Sequence, residues 1–275
     1  MTVINTNVSA LYSQNAMKTN ARAMSTAMEQ LSTGTRVNSA KDDAAGLAIG
    51  QNMTSQIRGL NMAVRNLNDG INMMQTAEGA MIEQSNMLQR MRELAVQSMN
   101  GTYSSVQRSY LDLEFQQLNS QINDISTDTT WNDQVLLDAS SNGGTFTFQA
   151  GQASGQTISI VIDDMGNGST GLVISGEAID TYANSADALT AITSALESIN
   201  QQRATIGAGI NRMEYAVDNL SNISSNATQS RSTIMDTDYA TATTALAKTQ
   251  IIQQAATAML AQANQQSQGV LQLLK

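Results

Sequence analysis

The chain has 275 residues, with 23 acidic against 14 basic side chains, a formal charge of −9, and no His, Cys or Pro. That inventory lacks the commonest zinc ligands, the commonest general base and the thiolate nucleophile, and the negative balance disfavours nucleic acid and anionic membrane surfaces as partners. Average usage would place about 14 prolines in a chain of this length, and their absence suits long uninterrupted helices, because proline removes a backbone donor and clashes with the preceding turn.

Taken in chain order, Val3, Ala10, Met17, Met24 and Leu31 recur every seven residues and predict a helix with one apolar stripe. The opening MTVINTNVSALYSQNAMK lacks the basic, apolar and cleavage-site regions of a secretory signal, so none is expected. No apolar run of about eighteen residues predicts a membrane span. The adjacent pair Asp42 and Asp43 reads as helix capping, since neighbouring helical residues face apart and do not make an acid–base pair. From Met53 through Ile57, Leu60, Val64, Leu67, Ile71 and Met74 the apolar steps alternate between four and three, the seam of a coiled coil. The register extends through Glu78, Met81, Ser85, Leu88, Arg92 and Ala95, with polar positions that could fix the pairing. This predicts a helix over about 44–99, closed by Asn100 and Gly101. In that register Arg90 and Leu94 fall on the outward face and, with Met87, form a mixed apolar and basic strip.

Ser104 and Ser105 are candidate N-caps for a further helix carrying Leu111, Phe115, Leu118, Ile122 and Ile125. Residues 128–184 change character, with turn residues between β-rich runs at 146–148, 158–162 and 172–174. So short a middle is expected to pack as hairpins against the helical shaft. Asp163 and Asp164 before Gly166 read as a turn, and Gly207 and Gly209 sit inside a helical seam where no phosphate loop is expected. Leu189 to Leu220 repeats the seam, with Arg203 as its polar position, and the register carries through Ile234 toward Ala245, Ile252, Ala256, Met259, Ala263, Val270 and Leu273. A near-continuous helix to the C-terminus follows. The predicted fold class is mainly α: long antiparallel coiled-coil helices formed by the two chain ends, with a small central β-hairpin region. No catalytic, cofactor-binding or metal site is expected.

Several long stretches carry a resemblance. TRVNSAKDDAAGLAI at 35–49 and the opening VINTNVSAL resemble the N-terminal region of the bacterial flagellins, as do LQRMRELAVQS at 88–98 and TTWNDQVLL at 129–137. DTDYATATTALAKTQIIQQA at 236–255 and AQANQQSQGVLQLLK at 261–275 resemble that family's C-terminal region. The chain departs from the family in having only about fifty residues where many members carry large outer domains, in lacking a proline near the C-terminus, and in ending on Lys275 where Arg is usual. The resemblance implies a minimal, non-enzymatic filament subunit, secreted through a type III export apparatus to an extracellular flagellum and serving motility. The hook-filament junction proteins share a helical-ends architecture and are the alternative. Residues 1–40 and 236–275 would form the filament core, disordered in the monomer, and 41–235 the shaft with hairpins at about 140–175. Val3, Ala10, Met17, Met24, Leu31, Ile252, Met259, Val270, Leu271, Leu273 and Leu274 would belong to the terminal assembly helices. The implied partners are further copies of the chain, an export chaperone, cap and junction proteins, and a host's Toll-like receptor reading Gln89, Arg90 and Leu94 with Glu114. The hairpin near 145–165 is where the resemblance places adjustment between filament packings.

Overall fold

The computed structural model describes residues 6–272 except Ser169, with side chains through residue 265. Five helices and two small antiparallel hairpins occur among these residues: α1 (Val8–Thr33), α2 (Ala44–Ser98), α3 (Ser105–Asp128), β1 (Thr130–Trp131), β2 (Gln134–Val135), β3 (Thr145–Gln149), β4 (Thr157–Val161), α4 (Tyr182–Met235) and α5 (Tyr239–Gln272). They divide into two compact units. Met1–Ile57 with Ser225–Lys275 makes the first, and Arg58–Ser224 the second.

In the first unit α1 packs along α5. Asn7 caps α1, its Oδ1 accepting from the Ala10 N–H at 3.1 Å, while its Nδ2 donates to the Ala263 carbonyl at 2.9 Å. Gly34 ends the helix at φ +72°, a left-handed position that glycine takes without strain. The segments after α1 and after α4 are tied together: Arg36 N–H donates to Met235 O, and Thr237 N–H to Gly34 O. The expected continuous helix from 189 to the C-terminus is therefore interrupted at Asp236–Asp238, where Asp238 caps α5 by accepting from Ala240 N–H at 2.9 Å. Asp43 likewise caps α2 through Gly46 N–H at 2.8 Å, and Asp42 closes the preceding turn on Ser39.

In the second unit the predicted seams of α2, α3 and α4 are buried or half-buried except at Arg92, around a core that includes Leu67, Met74, Met81, Phe115, Ile122 and Ile206. Ser104 and Gln107 close a capping box on α3. Two of the seams' polar positions meet: Arg203 Nη2 lies 3.6 Å from Glu78 Oε1. Each long helix also buries a second row spaced by seven residues, made of Ala63, Gly70, Ala77, Gln84, Met91 and Ser98 on α2 and of Ala188, Ala195, Gln202 and Gly209 on α4. The β3–β4 hairpin rests on these small positions. A Cβ at Gly70 would lie 2.8 Å from the Phe148 ring, and one at Gly209 would run into Ile160. Gln202 Nε2 donates to Val161 O at 2.7 Å.

Two expectations are corrected. Leu172–Ile174 is not a strand. Val173 sits at φ +52° in a run of turns, and the backbone carbonyls there bond to side chains, Ile174 O accepting from Asn119 Nδ2 at 3.2 Å and Glu177 O from Gln116 Nε2 at 2.8 Å. Leu172 and Ile174 remain buried on alternate positions, which is what made the stretch read as a strand. Conversely, β1–β2 is a hairpin within TTWNDQVLL, turned at Asn132 and Asp133 with φ of 49° and 63°.

Candidate assembly and recognition surfaces

The α1–α5 seam is built from the positions that are least exposed on each helix. On α1 these are Ala10, Ser13, Met17, Asn20, Met24, Ala27 and Leu31, which places Ala10, Met17, Met24 and Leu31 at the contact. The row interleaved with them is small or polar. Asn20 is only 8% exposed and donates to Thr249 O at 2.7 Å and to Gln253 Oε1 at 3.2 Å. A buried asparagine at such a position admits one register, because a slip leaves its amide unpaired.

On α5 the seam is Ala242, Leu246, Thr249, Gln253, Ala256, Leu260 and Ala263. The expectation that Ile252 and Met259 continue the intramolecular seam is thus corrected: both lie one position off it and are 40% and 62% exposed. The helix is apolar on more than one face, and periodicity alone does not say which face meets α1. Val8, Leu11, Tyr12 and Met28 on α1 and Ile251 on α5 are also more than half exposed. The sequence reading missed these five. Their signal was apolar side chains falling between the positions of the chosen stripe. Val3, Leu273 and Leu274 lie outside the described residues, as do the side chains of Val270 and Leu271.

The second surface lies on α2 and α3. Arg90 forks between two carboxylates, with Nη1 3.0 Å from Glu93 Oε2 and both Nε and Nη2 2.9 Å from Glu114 Oε1. Glu93 first, then Glu114, holds the guanidinium still more firmly protonated than an isolated arginine. Gln89 is exposed beside this cluster, in an open groove with Arg92, Gln97, Asn200 and Arg203. Leu94 does not belong to the strip: it is 1% exposed and part of the core. The outward placement fails because α2 is covered on more than one side. Besides the seam, Gln84 reaches Ile122 O and Met165 O and Ser98 reaches Ile179 O, so α3 and the 165–181 segment bury a face that a two-helix seam would leave open. Arg92, assigned to the seam, is exposed for the same reason, and Met91 is buried in its place.

Among the described residues no cluster of side chains suited to a metal ion occurs, and no helix is long and apolar enough to cross a membrane. What the surfaces offer is apolar contact on α1 and α5 and a charged clasp on α2 and α3.

Two family models match the chain, the bacterial flagellin N-terminal helical region over residues 4–142 and the C-terminal helical region over 189–274. A flagellin of Halalkalibacterium halodurans is 43% identical over 273 residues, covering 99% of this chain and all of the relative. The flagellin of Bacillus subtilis is 40% identical, with 99% of each chain covered. Among solved structures, the crystal structure of Bacillus cereus flagellin superposes with a TM-score of 0.51 at 30% identity, covering 57% of this chain and 88% of that one.

Proposed function

This chain belongs to the bacterial flagellin family and is a structural subunit of the flagellar filament, and we propose that its copies are joined chiefly through the outward faces of α1 and α5. One observation carries this reading: Tyr12, Ile251 and Met259 are 77%, 66% and 62% exposed on helices whose other face is already paired. Apolar side chains concentrated on such faces mark a surface that another molecule covers. A helical polymer covers it with a second copy, through a contact between unlike faces that does not close on itself.

In this reading residues 1–40 and 236–275 form the filament core and 41–235 the surrounding shaft. The protein acts without catalysis, outside the cell, after type III export with a chaperone, and it meets cap and junction proteins at the filament's ends. The relatives are flagellins over their full length, so the junction-protein alternative is not favoured. Since α1 and α5 leave so much apolar surface uncovered in a single chain, the terminal segments gain their full order on assembly. Limited proteolysis tests this. The monomer should lose both ends and keep about residues 45–230, while the filament resists at the ends. Equal resistance of the ends in both states contradicts it.

The exposed Gln89, Arg90 and Glu114 fit a recognition surface for a host Toll-like receptor, on an argument that rests on family likeness and on exposure. If neighbouring subunits cover the same surface in a filament, the receptor reads released monomers.

A further inference from the structure

Asparagine followed by glycine is the sequence most prone to intramolecular attack of the main chain on the side-chain amide, because glycine offers no Cβ to hinder it. Three such pairs occur here, at Asn100-Gly101, Asn142-Gly143 and Asn167-Gly168. The fold treats them differently. Asn167 Nδ2 donates to both the main-chain and side-chain oxygens of Asn119, and its carbonyl accepts from Ser175 N–H at 2.8 Å. Asn142 Nδ2 donates to Thr145 O at 2.9 Å, in a tight turn with both Asn142 and Gly143 at positive φ. Asn100 lies in the exposed turn between α2 and α3, and among the described residues its Nδ2 makes no such bond. Its Oδ1 instead accepts from Thr102 N–H at 3.2 Å. The ring closed by that bond contains the Gly101 nitrogen; the space around the glycine is open at all three pairs, so what sets Asn100 apart is its side-chain bonding.

From this geometry we propose that Asn100 is a site of self-modification, converting to aspartate and isoaspartate faster than the other two asparagines. The Gly101 nitrogen, giving up its proton to solvent base, attacks Asn100 Cγ. A new N–Cγ bond forms, the Cγ–Nδ2 bond breaks, and the amide leaves as ammonia on taking up a proton. Water then opens the five-membered imide at either carbonyl, leaving a carboxylate in both products. Thr102 N–H, already on Oδ1, stabilises the oxyanion that develops there during the attack.

The new carboxylate stands at the C-terminal end of α2, where the helix dipole disfavours negative charge. Arg108 offsets this. Its Nη2 donates to Asn100 O at 3.4 Å, and its Nε is buried without a partner. The modified turn thus keeps a cation beside it, while the isoaspartate product lengthens the α2–α3 turn by one methylene in the main chain.

The test holds the full-length monomer at mildly alkaline pH and follows all three sites by peptide mass spectrometry, with isoaspartyl methyltransferase labelling to count isoaspartate. In the folded chain Asn100 should convert roughly tenfold faster than Asn142 and Asn167, the three should approach one another in urea, and Gly101→Ala should slow Asn100 alone. Equal rates in the folded chain, or the same excess at Asn100 after unfolding, would overturn the proposal.

Discussion

At the level of single residues, hydrogen bonds set the pH response. Asp238 accepts from the Thr241 hydroxyl at 2.8 Å and from Ala240 N–H, and these bonds hold its carboxyl below the ordinary value of 3.8. A depressed folded pKa contributes stability that is complete above the ordinary value and is lost as pH falls through the lowered one. Asp238→Asn keeps an acceptor for the α5 cap but removes the titration, so thermal melts between about pH 5 and pH 2 should show a shallower decline than wild type. An unchanged slope would remove Asp238 from the acid response. Arg90 makes a different kind of prediction, because its pairs with Glu93 and Glu114 are exposed and screened and so add little to stability. Arg90→Ala should leave the melting transition near wild type while weakening Toll-like receptor binding by at least about tenfold. A large loss of stability with unchanged binding would make the clasp structural only. Leu94 belongs with the core. Truncating it would damage the fold, which makes it a poor probe of recognition.

Among the elements, the seams of α2, α3 and α4 were legible because Leu, Ile, Met and Phe mark them at steps of three and four. The second rows were not. Ala63, Gly70, Ala77, Gln84 and Ser98 are small or polar and carry no hydrophobic signal, yet they form the bed for β3–β4 and the 165–181 segment. Asn20 escaped notice for the same reason, and Ile252 and Met259 misled because an apolar residue marks burial without naming the partner. The irregular segment owes its shape to amide side chains, which makes Asn119 its most sensitive point. Asn119→Leu orphans the Ile174 carbonyl and leaves the Asn167 amide only its bond to the main-chain oxygen of residue 119, and should cost about 1–3 kcal/mol in urea unfolding. A cost near zero would mean that water replaces both bonds. Gly70→Val should cost a similar amount, about 1–3 kcal/mol, by pushing the Phe148 ring off α2. Gly155 turns the hairpin at φ +87°, so Gly155→Val strains the monomer as well as altering any filament packing set by this hairpin.

For the molecule as a whole, charge is divided unequally between the units. Met1–Ile57 with Ser225–Lys275 carries seven basic and five acidic side chains, whereas Arg58–Ser224 carries seven basic and eighteen acidic, a net −11. The unit bearing α1 and α5 can therefore crowd copies together with little repulsion, and the other accumulates negative charge as copies add. Raising salt from about 0.01 M to about 0.15 M shortens the Debye length from about 30 Å to about 8 Å and should lower the critical concentration for polymerisation. A critical concentration that rises with salt would show instead that attraction between charged groups drives assembly. In the proposed assembly the apolar faces of α1 and α5, left open in one chain, are closed by the next. Replacing Leu11 and Ile251 together by asparagine removes two exposed apolar anchors without touching the α1–α5 seam. Electron microscopy of seeded, purified protein measures the outcome: wild type should grow filaments, and the double variant should remain monomeric with unchanged helix content. Filaments from the variant at wild-type yield would contradict the account.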